Sequence, residues 1–167
     1  MIRVAILTIS DGVAAGTRED ESGIALQQRA IVLGWNVTST DVLPDELQDV
    51  SSALSTLAHS GNVDVILTTG GTGIAPRDLT AEAVRAIADR EIPGLGEVMR
   101  AEGRKSTKFA ALSRSGGYVV AATLIVTLPG SPRGAIESLN AVVELIPHVV
   151  DLLHGRTEHQ QKPSTEQ

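Results

Sequence analysis

The chain has 167 residues, a length that suits one domain with one well-formed core, and it contains no cysteine, which excludes disulfides, thiolate zinc sites and cysteine nucleophiles. With 14 basic against 20 acidic residues the formal charge is −6, and Trp35, Phe109 and Tyr118 are the only aromatics, so neither phosphate neutralisation nor base stacking favours nucleic acid as a partner. No apolar run approaches the ~18 residues of a membrane helix, and the opening MIRVAILTIS is too short for a signal peptide; the expectation is a cytoplasmic enzyme or binding module for small molecules, away from membranes.

In chain order, the β-branched run Arg3–Ile9 predicts a strand, followed by a turn-rich loop Ser10–Glu19. Glu21–Leu33 predicts a helix whose apolar residues (Ile24, Leu26, Ala30, Ile31, Val32, Leu33) spread widely, as for a helix buried against a sheet, with Gly34 as its stop. Asn36–Leu43 alternates weakly and predicts a second strand. Pro44-Asp45-Glu46 then opens a helix whose Leu47, Val50, Leu54 and Leu57 keep helical spacing until Gly61. Val63–Thr68 is apolar on both faces and predicts a central strand. The glycine-rich loop Thr69–Arg77 and a helix Leu79–Asp89 follow. Ile92–Lys108 predicts helix in pieces, broken at Pro93-Gly94 and at Gly103. Gly116–Ala121 and Thr123–Leu128 predict two strands close enough to form a hairpin. Arg133–Ile146 predicts a helix with Ile136, Leu139, Val143 and Ile146 on one face; Val150 and Leu153 continue that register past Pro147, where the helix kinks or a new one opens. From Gly155 the chain is polar and aperiodic, so a domain over 1–154 and a mobile tail over 155–167 are expected.

Such alternation of strands and helices implies an α/β fold in three layers: a mostly parallel sheet flanked by helices on both faces, with one antiparallel edge hairpin. Ligands of these sheets bind beyond the carboxyl ends of the strands. That singles out the loops Ser10–Glu21, Thr69–Asp78 and Pro129–Arg133, with Pro44-Asp45 as a fourth.

The richest of these is Thr68-Thr69-Gly70-Gly71-Thr72-Gly73-Ile74-Ala75-Pro76-Arg77-Asp78. Its glycines let backbone amides approach an anion, its threonines add hydroxyl donors, and Arg77 supplies a fork suited to phosphate. A tight strand-to-helix turn without a ligand is the bland alternative. The spacing fits neither a Walker loop nor a dinucleotide fingerprint. Leu128-Pro129-Gly130-Ser131-Pro132-Arg133-Gly134 runs from a strand into a helix, with Ser131 as N-cap and Pro132 at the first helical position; the free amides there also make an anion site. Asp45 and Asp78 each stand where a helix begins, and Asp45 with Gln48 resembles a capping box. A carboxylate beside an anion loop repels the ligand unless a cation lies between them, and Mg²⁺ is the usual solution. Ser10-Asp11-Gly12 and Glu19-Asp20-Glu21-Ser22-Gly23 read as an acidic loop with Asp20 or Ser22 as a cap. His59, His148, His154 and His159 show no metal-ligand spacing, and nothing suggests a Ser-His-Asp triad.

Taken in order, Thr8-Ile9-Ser10-Asp11, Glu19-Asp20-Glu21-Ser22-Gly23, Pro44-Asp45-Glu46, Leu67-Thr68-Thr69-Gly70-Gly71-Thr72-Gly73 with Pro76-Arg77-Asp78, and Leu128-Pro129-Gly130-Ser131-Pro132 resemble the molybdenum-cofactor biosynthesis family, over roughly residues 1–154. The likeness is to stand-alone molybdopterin adenylyltransferases of the MogA/MoaB type and the gephyrin G domain. Ala81 stands where many relatives have proline. The resemblance implies transfer of AMP from ATP to molybdopterin with release of pyrophosphate. It implies Asp45 and Asp78 as catalytic residues, with Asp78 on Mg²⁺. Thr69, Gly70, Gly71, Thr72, Gly73 and Arg77 would cradle phosphate, and Ser10, Asp20, Ser22, Pro129, Gly130 and Ser131 would line the same pocket. It further implies a homotrimer and hand-off of the product to a molybdenum insertase, while at this length the functions of the family's larger insertases are not expected. A pterin carrier of the MoaB type with little or no turnover is the alternative. A generic nucleotide- or flavin-binding domain is a third reading, against which the scarcity of aromatics speaks. Molybdenum versus tungsten, and which loop takes adenine and which the pterin, stay open.

Overall fold

The computed structural model describes residues 1–156; residues 157–167, with His159 and most of the expected tail, lie outside the described residues. Six strands form one sheet: β1 (Arg3–Ile9), β2 (Asn36–Leu43), β3 (Val65–Thr69), β4 (Arg90–Ile92), β5 (Gly116–Val120) and β6 (Thr123–Leu128), in the order β2-β1-β3-β6-β5-β4. β2, β1, β3 and β6 run parallel, and β5 and β4 complete the sheet antiparallel. The three-layer α/β reading therefore holds. The hairpin β5–β6 lies one strand in from the edge, because β4, three residues too short to register as a strand pattern, pairs outside it.

The helices are α1 (Asp11–Ala14), α2 (Glu21–Val32), α3 (Leu47–His59), α4 (Thr80–Arg85), α5 (Pro93–Gly103), α6 (Pro132–Val142) and α7 (Ile146–Leu153). Pro93 opens α5 instead of breaking it, since a proline loses no intrahelical bond in the first turn. Pro147 likewise sits in the first turn of α7, so the chain opens a new helix there.

Side chains of the central strands alternate between two cores. Val4, Ile6, Val65, Leu67, Leu124, Val126 and Leu128 pack with Leu26 of α2, Met99 of α5 and Leu139 of α6. Ala5, Leu7, Ile9, Ile66 and Ile125 face the other way, against Val50 and Leu54 of α3 and Val84 of α4. The wide apolar face expected of α2 is only half used: Leu26 and Ala30 are buried, while Ile24, Ile31 and Val32 are exposed. On α6 the buried stripe is Ala135, Ser138, Leu139 and Val142, one position off the predicted face, and Ile136 is only partly covered.

The parallel register aligns the strand ends. Ile9 pairs with Leu43, Thr8 with Thr69, and Thr69 with Leu128. The four loops singled out in the sequence consequently leave the sheet at one rim.

Candidate active site

At that rim the loop after β3 turns through Gly70 and Gly71, whose φ angles of 100° and 65° disfavour any side chain. Contact closes both positions as well. A methyl group at Gly70 would run into the Ile9 carbonyl oxygen, and one at Gly71 would collide with Thr80 Oγ1 and lie 3.3 Å from Asp45 Oδ1. At Gly73 a methyl would lie 2.6 Å from Asp78 Oδ2. The glycines thus let the main chain pass against two carboxylates. Thr69 Oγ1 donates to the Pro129 carbonyl at 2.7 Å, and the Gly70 amide donates to the Leu128 carbonyl at 3.1 Å, which ties this bend to Pro129–Ser131.

Neither acid caps a helix. Glu46 is the N-cap of α3 and Leu79 that of α4, both without a side-chain cap bond, and Gln48 turns to Ser52. The capping box expected at Asp45 is absent because Asp45 is drawn to the loop after β1: its Oδ2 accepts from the Asp11 amide at 2.9 Å, and the Asp45 amide donates to Asp11 Oδ1 at 3.0 Å. Asp78 Oδ2 accepts from the Ala75 amide at 2.8 Å and closes its own loop. Burial pushes the Asp45 carboxyl above its ordinary range, the charges of Asp11 and Asp78 add to this, and the Asp11 amide and the Arg77 guanidinium oppose it.

The cleft has two lobes that share Gly130 and Ser131. The polar lobe, about 370 Å³, takes in Ser10, Ser22, Asp45, Thr69, Gly70, Gly71 and Asp78 of the predicted residues. The second lobe, about 400 Å³, takes in Thr72, Gly73 and Pro129 and is walled by Met99, Phe109, Ala110 and Leu112. Ser131 accepts from the Gly134 amide at 3.1 Å as cap of α6, and Ser10 caps α1, so both serines are held where they line the cleft.

Two predicted residues are not brought to the lining. Arg77 forms a fork on Asp11 at 2.6 and 2.9 Å and also reaches Glu46 at 3.3 Å; that acidic pair, close in space but 35 residues apart in sequence, claims the guanidinium. Asp20 caps α2, accepting from the Gly23 amide at 2.9 Å and from Thr8 Oγ1 at 2.8 Å. Among residues missed from sequence, Thr8 and Arg18 line the polar lobe. Arg114 braces the glycine loop: its amide donates to the Thr72 carbonyl at 2.8 Å, its guanidinium to the Gly73 and Asp78 carbonyls at 2.7 and 2.6 Å, and it pairs with Glu82. No local signal marks Arg114, since its nearest partner in sequence, Glu82, is 32 residues away. Among the described residues no three His, Cys, Asp or Glu side chains converge to hold a metal ion, and no helix is long and apolar enough to cross a membrane.

Residues 5–148 match the family described as the probable molybdopterin binding domain. A molybdopterin adenylyltransferase of Helicobacter pylori is 35% identical over 156 residues, covering 92% of this chain and 89% of that protein. A molybdenum cofactor biosynthesis bifunctional protein of Synechococcus elongatus is 35% identical over 150 residues, 90% of this chain, which spans only 47% of that longer protein. The crystal structure of the molybdopterin biosynthesis enzyme MoaB from Thermus thermophilus superposes with a TM-score of 0.87 at 45% identity, covering 93% of this chain and 98% of that one.

Proposed function

The chain belongs to the probable molybdopterin binding domain family, and from there we propose that it is a molybdopterin adenylyltransferase, moving AMP from ATP to molybdopterin with release of pyrophosphate. What supports it is the meeting, in one polar lobe, of a glycine-lined bend with two carboxylates that cap no helix. Each carboxylate spends one oxygen on a loop amide, and carboxylates packed against an anion cradle are well placed to organise phosphates around a cation.

In the reaction the terminal phosphate oxygen of molybdopterin attacks the α-phosphorus of ATP. A P–O bond forms as the bond from that phosphorus to the bridging oxygen breaks, and the electron pair leaves on pyrophosphate. The nucleophile is already anionic, so no side-chain base or nucleophile is needed; positioning and charge neutralisation carry the rate. Amides of Gly71, Thr72 and Gly73, beyond the Gly70 amide that bonds the Leu128 carbonyl, would hold phosphoryl oxygens. The donor set fits Mg²⁺: Asp45 and Asp78 are hard oxygen ligands, and an ion that keeps waters and phosphate oxygens needs only one or two of them. Bound there, Mg²⁺ would supply neutralisation of the phosphate charge. The second lobe, walled by Met99, Phe109 and Leu112, would take a flat heterocycle.

A homotrimer in the cytoplasm, passing its product to a molybdenum insertase, is the setting that the family likeness implies. Ile31 and Val32, 61% and 76% exposed on α2, offer apolar surface to another copy.

The test is incubation with ATP, Mg²⁺ and molybdopterin. Pyrophosphate and adenylylated molybdopterin are expected, and Asp78→Asn should keep the wild-type melting temperature while slowing transfer about 100-fold or more. Tight pterin binding without pyrophosphate release would point to a carrier.

A further inference from the structure

Two anionic reactants must enter a lobe whose walls already carry Glu19, Glu21, Asp45 and Asp78. One cationic side chain faces them there, that of Arg18. Of the other arginines near the cleft, Arg77 is engaged by Asp11 and Glu46, Arg114 by Glu82 and two carbonyls, and Arg100, in the second lobe, by the Ser113 and Ser115 carbonyls, while Arg133, at the start of α6, is exposed and outside the lining. Among the described residues Arg18 has no salt-bridge partner.

Its position is built by the fold. The Gly12 carbonyl accepts from the Thr17 amide at 2.9 Å, the Arg18 amide at 3.1 Å and Thr17 Oγ1 at 3.0 Å, which folds the loop after α1 back onto that helix. The Arg18 stem lies over Gly12, where an added methyl would come within 2.9 Å of Cδ. Gly12 therefore leaves room for the Arg18 stem beside the lobe that this residue lines.

We propose that Arg18 is a substrate-binding residue whose guanidinium holds a phosphate entering the polar lobe, either the terminal phosphates of ATP or the monophosphate of molybdopterin. This rests on the adenylyltransferase reading for the identity of the phosphates. A guanidinium fork gives paired, charge-assisted bonds to phosphate, and its charge offsets part of the repulsion that the four carboxylates exert on an entering anion.

Steady-state kinetics on Arg18→Gln, Arg18→Lys and Gly12→Ala test it, with melting temperatures as a check on folding. Arg18→Gln should raise one KM about tenfold or more at unchanged melting temperature, with Arg18→Lys recovering part of the loss and Gly12→Ala reproducing part of it without a change of charge. A rise in KM for ATP alone identifies the terminal phosphates, and a rise for molybdopterin alone identifies its monophosphate. Both KM values within twofold of wild type would overturn the proposal. Titration of wild type and Arg18→Gln with inorganic pyrophosphate gives an arm that needs no turnover. Wild-type protein that forms no adenylylated product defeats the adenylyltransferase reading, whereas equal affinity of the two proteins for pyrophosphate and for inorganic phosphate titrated the same way defeats the role of Arg18.

Discussion

At the scale of single residues the site is a balance of charge at short range. Asp11 joins two sides of the rim, taking the Arg77 fork on its carboxylate while exchanging bonds with Asp45; the Arg77 guanidinium and the Asp45 amide hold its carboxyl below the ordinary range. Asp45 is the opposite case, raised by burial and by its acidic neighbours. A carboxyl raised in the folded state contributes stability while protonated and loses it as the pH climbs through the folded value, so ionised Asp45 opposes folding at neutral pH. Asp45→Asn keeps an oxygen for the Asp11 amide and removes the charge. It should melt at or above the wild-type temperature at pH 7, with the difference gone below about pH 4, and lose AMP transfer by about 100-fold. A lower melting temperature at neutral pH would contradict the assignment.

The secondary-structure elements show where local chemistry settles a conformation and where it is overruled. The two-residue turn between β5 and β6 places Ala121 at φ 51°, the one non-glycine residue with positive φ among the described residues. A side chain there strains the backbone, and the Ala121 amide is held by Asp89 Oδ2 at 2.7 Å. Ala121→Gly should relieve the strain and raise stability by about 0.5–1 kcal/mol, a rise of about 2 °C in melting temperature measured by calorimetry. α4 stops at Arg85, shorter than its helical pattern through Asp89, because the Asp89 amide is taken by the Val119 carbonyl and leads into β4. A sheet edge decided that boundary, and no period in Leu79–Asp89 reports it.

Across the whole molecule the sheet has a functional rim and a fastened one. At the end away from the cleft Asp64 accepts from the Arg3 amide at 2.8 Å, from Arg3 Nε and Nη2 at 3.1 and 2.7 Å, and approaches His154 Nε2 at 3.1 Å, joining β1 and the segment before β3 to the residue just after α7. Burial raises the Asp64 carboxyl, but the Arg3 bonds and the nearby charges outweigh it and bring it down to about 2. A depressed carboxyl contributes stability above its unfolded value and loses it as the pH falls through the folded one. Acid unfolding should therefore show a step between about pH 4 and pH 2 worth about 2 kcal/mol, and Asp64→Asn should remove that step and melt lower at pH 7. An unchanged acid limb in Asp64→Asn would refute this.

Strand and helix periods, proline and glycine punctuation and charge settled the α/β class and the four loops at one rim, because those are properties of neighbours along the chain; for Asp45 and Asp78 the same local reading left a helix cap open, and the fold places both carboxylates in the polar lobe instead. Ser131 as a cap was legible for the same reason. What Arg77 and Arg114 bond was not. An arginine's long side chain takes whichever carboxylate or carbonyl the fold brings near, and Asp11 comes near Arg77, and Gly73 near Arg114, only once the sheet register has stacked the loops at one edge. The hidden strand β4 and the half-exposed α2 have the same origin: each depends on a neighbour in space that local sequence does not contain.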